Sequence, residues 1–272
     1  MRVLVVGAGG FIGRHLCAAL AAAGHDAVRA TLQPLAAWDQ PEAWRPQLTG
    51  IDGVVYAAGC LRDQSGGVAD LLDLLHHRAP SALGDACESA GIRHLVHLSA
   101  LCGGVSAYAR SKHAGEVALA GRGCIVRPSL VVGVGGVSSR MLDLLARLPW
   151  LPLPAAVARC RVQPIRVEDL AAGIVATLNS PLPPASWVAV GPEAATVADW
   201  IARRRAARGL GPARHIELPQ ALTRASARLG DLIPLGPWCS TALELLAHDS
   251  AEPQAASPLG RPLRDAMEGA WA

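Results

Sequence analysis

Lysine is almost missing from this chain: of its 25 basic residues, Lys112 alone is a lysine and the rest are arginine. Aromatics are scarce as well, with two tyrosines, Tyr56 and Tyr108, and one phenylalanine, Phe11. A chain that writes arginine at nearly every basic position has kept one ammonium, so the place of Lys112 carries information. No apolar run reaches the roughly 18 residues of a membrane span, because Arg, Asp, His or Pro interrupts each one. The N-terminus passes from Met1-Arg2 straight into Val3-Leu4-Val5-Val6 and a glycine turn, without a small-residue cleavage site. A soluble chain in the cytoplasm is therefore expected. The seven cysteines, at 17, 60, 87, 102, 124, 160 and 239, form no C-x-x-C pair and are odd in number. That argues against a disulfide framework or a zinc site and predicts mostly buried, reduced thiols. With a net charge of +3 and no basic stripe interleaved with aromatics, nucleic acid is not an expected partner.

What is present is apolar mass: 51% of the 272 residues are hydrophobic and 17% charged. This is enough to bury one large α/β core with a small appendage. Val3 to Val6 reads as a strand buried on both faces, Arg14 to Ala23 as a helix closed by Gly24, and Ala27 to Thr31 as a second strand. Only 21 residues separate Thr31 from the next strand, Gly53 to Ala57, leaving little room for more than a short helix at Glu42 to Leu48. Helices are expected at Val68–His77 and Ser81–Ala90, parted at Pro80, and at Tyr108–Ala120 and Val167–Asn179. Further strands are expected at His94–Leu98 and Cys124–Val132, and Leu148–Pro154 reads as an irregular apolar loop. Strands alternating with helices at this spacing give an α/β fold, a Rossmann-type doubly wound parallel sheet, with a small C-terminal lobe. The expected division is 1–190, with an insertion near 138–160, and 191–272.

Gly7-Ala8-Gly9-Gly10-Phe11-Ile12-Gly13-Arg14 lies between the first strand and the first helix, the context of a dinucleotide fingerprint. Gly7 permits the tight turn, Gly10 lets backbone amides approach a pyrophosphate, and Gly13 lets the helix pack close to the sheet. The second strand ends at Thr31 without the carboxylate that would bond an adenosine ribose, so NADP(H) is favoured over NAD(H). Arg14 or Arg29 either faces a 2′-phosphate or is a solvated surface residue. Tyr108 and Lys112 stand four apart at the start of a helix and share a face, a pairing in which an ammonium supports a phenol in proton transfer. Ser99 follows the His94–Leu98 strand at the sheet's carboxyl edge, where it either bonds a substrate oxygen or caps the next turn. His76, His77, His94 and His97 read as structural, since no acid or cysteine stands at metal spacing from them.

These residues resemble the short-chain dehydrogenase/reductase superfamily in its extended branch, over most of residues 1–195. GAGGFIG, GVVYAAG, HLSAL, YARSK, RPSLVVG (127–133), QPIRVEDLA (163–171) and VGPE (190–193) carry the likeness. The chain is most similar to the atypical, epimerase/dehydratase-like subgroup that includes the nucleotide-binding accessory subunit of respiratory complex I. The resemblance implies that Gly7, Gly10 and Gly13 hold a pyrophosphate, that Ala57, Ala58 and Gly59 lie along the riboses, and that Asp39 sits by the adenine. It implies Tyr108 as acid/base with Lys112 as partner, and Pro128-Ser129 beside the nicotinamide. Two departures stand out. Ser99 is only nine residues before Tyr108, and the asparagine expected in the preceding helix is replaced around Arg78-Ala79-Pro80. Two readings follow: an NAD(P)-dependent oxidoreductase or epimerase acting on a small molecule, or a non-catalytic NAD(P)H-binding protein with a structural, assembly or redox-sensing role. Either is compatible with a homodimer or a protein partner. The second lobe offers Trp150, Trp187, Trp200 and Trp238 but no polar cluster suited to a nucleotide diphosphate, which argues against a sugar nucleotide as substrate.

Overall fold

A computed structural model describes residues 1–31, 34–62, 70–233, 236–260 and 263–266. Five strands alternate with helices along the first half of the chain. They are β1 (Arg2–Val6), β2 (Asp26–Arg29), β3 (Gly53–Tyr56), β4 (His94–Leu98) and β5 (Cys124–Pro128). The intervening helices are α1 (Phe11–Ala22), α2 (Pro41–Trp44), α3 (Leu71–Asp73), α4 (Ala79–Ser89) and α5 (Ala107–Ala118). Beyond them come β6 (Val131–Val132), α6 (Val137–Arg147), β7 (Trp150–Leu153), α7 (Ala155–Arg159), β8 (Arg161–Val162) and β9 (Ile165–Arg166). Then follow α8 (Val167–Asn179), β10 (Ser186–Ala189), β11 (Ala195–Thr196), α9 (Val197–Ala206), β12 (Arg214–Glu217), α10 (Gln220–Leu232) and α11 (Ser240–Leu245).

The main sheet has six parallel strands in the order β10-β5-β4-β3-β1-β2. This is a doubly wound order lacking the strand that ordinarily lies outside β2. Alternation along β1 sends Val3 and Val5 to one face, where α1 and α8 pack through Leu16, Leu20 and Ile174. Leu4 and Val6 go to the other face with Tyr56, Leu83 and Leu119. The short stretch before β3 holds no further strand among the described residues. Within it, Trp44 is fully buried in the apolar cluster of Leu4, Val6 and Tyr56 and donates its indole N–H to the Trp38 carbonyl at 2.8 Å.

Several sequence expectations shift. α1 begins at Phe11 rather than Arg14, so Gly13 lies within the helix, and β2 ends at Arg29, leaving Thr31 beyond it. The helix expected from Val68 has its first residues outside the described ones. From Leu71 it runs through Pro80 instead of stopping there, because the turn Leu74–Arg78 widens to π geometry just before α4 and absorbs the proline's missing N–H. β5 ends at Pro128, and Val131–Val132 leaves the sheet to pair with Ile165–Arg166. Leu148–Pro154 is not irregular: Trp150–Leu153 pairs in parallel with Arg214–Glu217. Leu151 and Leu153 are buried while Trp150 and Pro152 face out, a period-two pattern that an edge strand tolerates despite its proline.

A third apolar cluster joins Leu142 and Ala146 of α6, Leu151, Val157, and Trp200 and Ile201 of α9. Asp143, itself buried, ties the same helices by accepting from Arg204 at 3.0 Å and from Arg208. Burial alone would raise this carboxyl, but the hydrogen bonds from Arg204 and Arg208 hold it below its ordinary value. None of the seven cysteines forms a disulfide, and four are buried. No helix among the described residues is long and apolar enough to cross a membrane.

Because Trp44 is fully buried in the apolar cluster over Leu4 and Val6 of β1, Trp44→Ala should cost about 3–5 kcal/mol. Urea unfolding followed by circular dichroism should show that loss as a lowered midpoint with a native-like starting spectrum.

Candidate active site

The glycine turn is built by close approach. Gly7 has φ +86° and lies so near the Ala57–Ala58 peptide that a Cβ there would come within 2.8 Å of its backbone atoms. A Cβ on Gly13 would lie 2.1 Å from the Gly7 carbonyl oxygen, so only glycine lets α1 seat on the turn. Gly10 serves as the helix N-cap with no side chain bonded to the first-turn amides and no acid among the first residues. Those N–H groups and the helix dipole are left to an anion. Phe11 packs edge-on against His15, with ring centroids 5.5 Å apart. Arg14 donates to the Gly9 carbonyl at 2.9 Å, which sets its guanidinium on the rim of the turn.

A cavity of about 280 Å³ opens at the carboxyl edge of the sheet. Ile12, Ala57, Ala58, Gly59, Ser99, Tyr108, Lys112, Pro128 and Ser129, all singled out from sequence, line it together. Gly7, Gly10 and Gly13 form the adjoining turn. Thr31 and Asp39 do not line this cavity and stand on the segment after β2. Thr31 is held by Gln47, whose side-chain oxygen accepts its N–H at 3.3 Å. Asp39 accepts from Arg78, which also bonds Asp73 at 2.9 Å, so its carboxylate anchors the segment after β2 to the π turn.

Lys112 is 6% exposed, and its ammonium donates to the Leu98 carbonyl at 3.1 Å while lying 5.9 Å from the centre of the Tyr108 ring. Burial lowers its pKa to about 8, against the opposing pull of Cys102, Cys60 and Glu116. Burial raises the Tyr108 phenol, with Cys102 and Cys60 adding to the effect. The ammonium thus gives one of its three donors to Leu98 and lies beside the Tyr108 ring, and Tyr108 keeps its proton through the neutral range. Ser99 is buried, and its hydroxyl has no hydrogen-bond partner among the described residues. It caps no turn there. The Ser129 hydroxyl is already used, donating to the Ser250 carbonyl at 2.5 Å.

Sequence reasoning missed His76, Cys60 and Cys102. His76 is fully buried on the π turn, with its ring edge-on to Tyr108 at 5.1 Å. The Cys60 N–H donates to its Nε2 at 3.2 Å, so Nδ1 carries the proton and donates to Ser111 Oγ at 2.9 Å. Ser111 in turn donates to the Tyr108 carbonyl at 2.9 Å. Burial, then Lys112 and His97, push the His76 pKa down to about 2, which keeps the ring neutral. The available signal was His76 lying within the helix that should supply the asparagine, two residues before the position considered.

This arrangement, a parallel sheet with a glycine turn, a Tyr-x-x-x-Lys helix and a serine at the sheet edge, defines a Rossmann-type α/β protein. The NAD dependent epimerase/dehydratase family model matches residues 3–184, and the chain belongs to that family. It is 30% identical over 200 residues to a ceramide reductase of Caulobacter vibrioides, a match covering 66% of this chain and 62% of that protein's length. Among solved structures it resembles a dTDP-4-dehydrorhamnose reductase from Clostridium acetobutylicum, with TM-score 0.67 and 17% identity over 98% of this chain and 91% of the other. It also resembles a UDP-glucose 4-epimerase from Thermus thermophilus in complex with NAD, with TM-score 0.62 and 19% identity over 91% of this chain and 98% of the other.

The turn's geometry separates two glycines that look alike in sequence. Gly13→Ala should lower the melting temperature and abolish dinucleotide binding, because the new methyl and the Gly7 carbonyl cannot coexist. Gly9→Ala, whose Cβ would meet nothing within 4 Å, should melt like the parent. Differential scanning fluorimetry with calorimetric titration of NADH and NADPH reads both.

Proposed function

We propose that this chain is an NAD(P)-dependent oxidoreductase that works chiefly as a reductase, adding hydride to a carbonyl carbon while Tyr108 protonates the oxygen. What carries this reading is the buried Ser99 hydroxyl, left without a partner on the wall of the cavity that Tyr108 and Lys112 also line. A buried unpaired hydroxyl is costly, and a substrate oxygen would satisfy it. The open glycine cradle and uncapped helix start suit a dinucleotide's pyrophosphate, with Gly7, Gly10 and Gly13 bounding its seat and Ala57, Ala58 and Gly59 continuing it toward the cavity. A bound nicotinamide supplies hydride at its C4.

The residues of the chain manage the proton. Ser99 Oγ orients the carbonyl oxygen, and Tyr108 Oη gives up its proton to that oxygen as the carbon becomes tetrahedral. Lys112 Nζ, close to the ring, then offsets the phenolate until solvent restores the proton. The phenol is protonated at neutral pH, as a proton donor in the reductive sense must be. The name of the Caulobacter relative points the same way. The reverse oxidation and epimerisation at a carbinol carbon would use the same groups with the proton moving the other way. Cofactor choice follows from Thr31, which is uncharged where a carboxylate would repel a 2′-phosphate, so NADP(H) is favoured.

Two sets of variants test this. Tyr108→Phe should keep dinucleotide affinity and lose about 10²–10⁴-fold in turnover. Lys112→Arg should also fail, because a planar guanidinium does not fit the buried space of a compact ammonium. Steady-state reduction of aldehydes and ketones with both cofactors reads this, and undiminished Tyr108→Phe turnover overturns the mechanism in favour of a binding protein. Thr31→Asp should weaken NADPH more than NADH in parallel titrations; equal weakening removes the argument for cofactor choice.

A further inference from the structure

A second cavity, about 420 Å³, adjoins the first. Leu61 lines both, and Leu130 of the second lies in the chain between Ser129 and Val131 of the first. Its walls include Leu142 and Leu145 of α6, Leu153 of β7, Val157 of α7, Val197 of α9 and Leu246 after α11. Among the described residues no charged side chain lines it, and the side-chain hydroxyls on its wall are those of Ser138 and Ser226. Ser226 is already committed, donating to the Thr223 carbonyl at 2.8 Å and accepting the Trp238 indole N–H at 3.2 Å.

Such a space is costly for a phosphate or a sugar, whose polar groups would go unpaired, and favourable for hydrocarbon. Its volume lies within the range of small-molecule pockets. The two structural neighbours described above are named for nucleotide-sugar substrates, whereas the described residues lining this cavity include no charged side chain to hold a diphosphate. We infer that the substrate carries an aliphatic chain that lies in this second cavity, with its reacting carbon in the smaller one beside Tyr108. The inference rests on the reading of Tyr108 as the acid, because that fixes which end of the substrate reacts.

Each methylene buried contributes about 0.8 kcal/mol, or about fourfold in kcat/KM. Across a homologous series of methyl ketones, kcat/KM should therefore climb by about that factor per carbon and level off once the cavity is filled. Independently of turnover, a dansyl-labelled undecanoic acid should bind the intact chain with enhanced, blue-shifted fluorescence. Met141→Trp, which fills the cavity from α6, should weaken that probe at least tenfold, while calorimetric NADPH affinity reports that the fold is kept. A probe that binds and is expelled by Met141→Trp upholds the chain cavity even if no ketone is reduced, an outcome that would instead remove the role of Tyr108. Ketones reduced at rates indifferent to chain length, with no probe binding, would overturn the chain cavity and leave the catalytic reading standing.

Discussion

A single buried ammonium sets the electrostatics on which the site depends. Lys112 is held by one carbonyl in a space that strips most of its water, and burial brings it close to losing its charge near pH 8. Its field falls on His76 and His97, adding to the larger effect of burial and keeping both rings neutral. Neutrality matters because a neutral imidazole has one donor and one acceptor, whereas a charged one has two donors. With the Cys60 amide pointing at Nε2, only the neutral ring can take that hydrogen bond and pass one on to Ser111. The chain Cys60, His76, Ser111, Tyr108 thus has one direction, and it fixes the first turn of α5 against the π turn of the neighbouring helix. The packing allows no slack there, since a Cβ on Gly115 would lie 1.9 Å from the His76 carbonyl oxygen.

The parts of this structure that were legible in the sequence are those in which one residue type does a job no other can. The glycine turn, the strand Val3–Val6 and the Tyr108–Lys112 pair are of this kind, because close backbone approach, burial on two faces and helical spacing each leave a local signature. The cavity gathered Ile12, Ala57 to Gly59, Ser99, Pro128 and Ser129 for the same reason: parallel strands all end at one edge, so residues just after them converge. His76 was not legible in this way. Its role depends on a π turn created to accommodate Pro80, and nothing in the local pattern separates a proline that ends a helix from one that widens it. The Asp39–Arg78 ion pair was not legible on a similar ground, since Arg78 lies far along the chain and is brought near only by the tertiary fold.

The strand Trp150–Leu153 was hidden by its prolines. Period-two burial survives in Leu151 and Leu153, but three prolines in six residues read as loop, and the partner strand at Arg214–Glu217 lies more than sixty residues on. The sheet's missing outer strand was legible as a shortage of residues, yet the packing of that stretch was not: Trp38 and Trp44, edge to face at 5.4 Å, join the apolar cluster of Leu4, Val6 and Tyr56.

The two motifs late in the first domain serve a purpose that their similarity to other proteins does not reveal. Gln163, from QPIRVEDLA, accepts the Glu252 N–H at 2.9 Å and donates to the Gly191 carbonyl at 2.7 Å. Asp169, from the same motif, accepts the Arg264 N–H at 2.9 Å. Ser250 takes the hydroxyl bond of Ser129 and donates its own to the Leu101 carbonyl at 2.7 Å. The returning C-terminal segment is therefore stitched to the loops after β4 and β5, beside the polar cavity. Such bonds are modest singly, each contributing about 0.5–1.5 kcal/mol, but breaking them together would leave several buried groups unpaired at once. Their joint effect is to hold that segment against the loops that border the cavity lined by Ser99, Ser129 and Tyr108, so that this wall is fixed by several bonds that must break together.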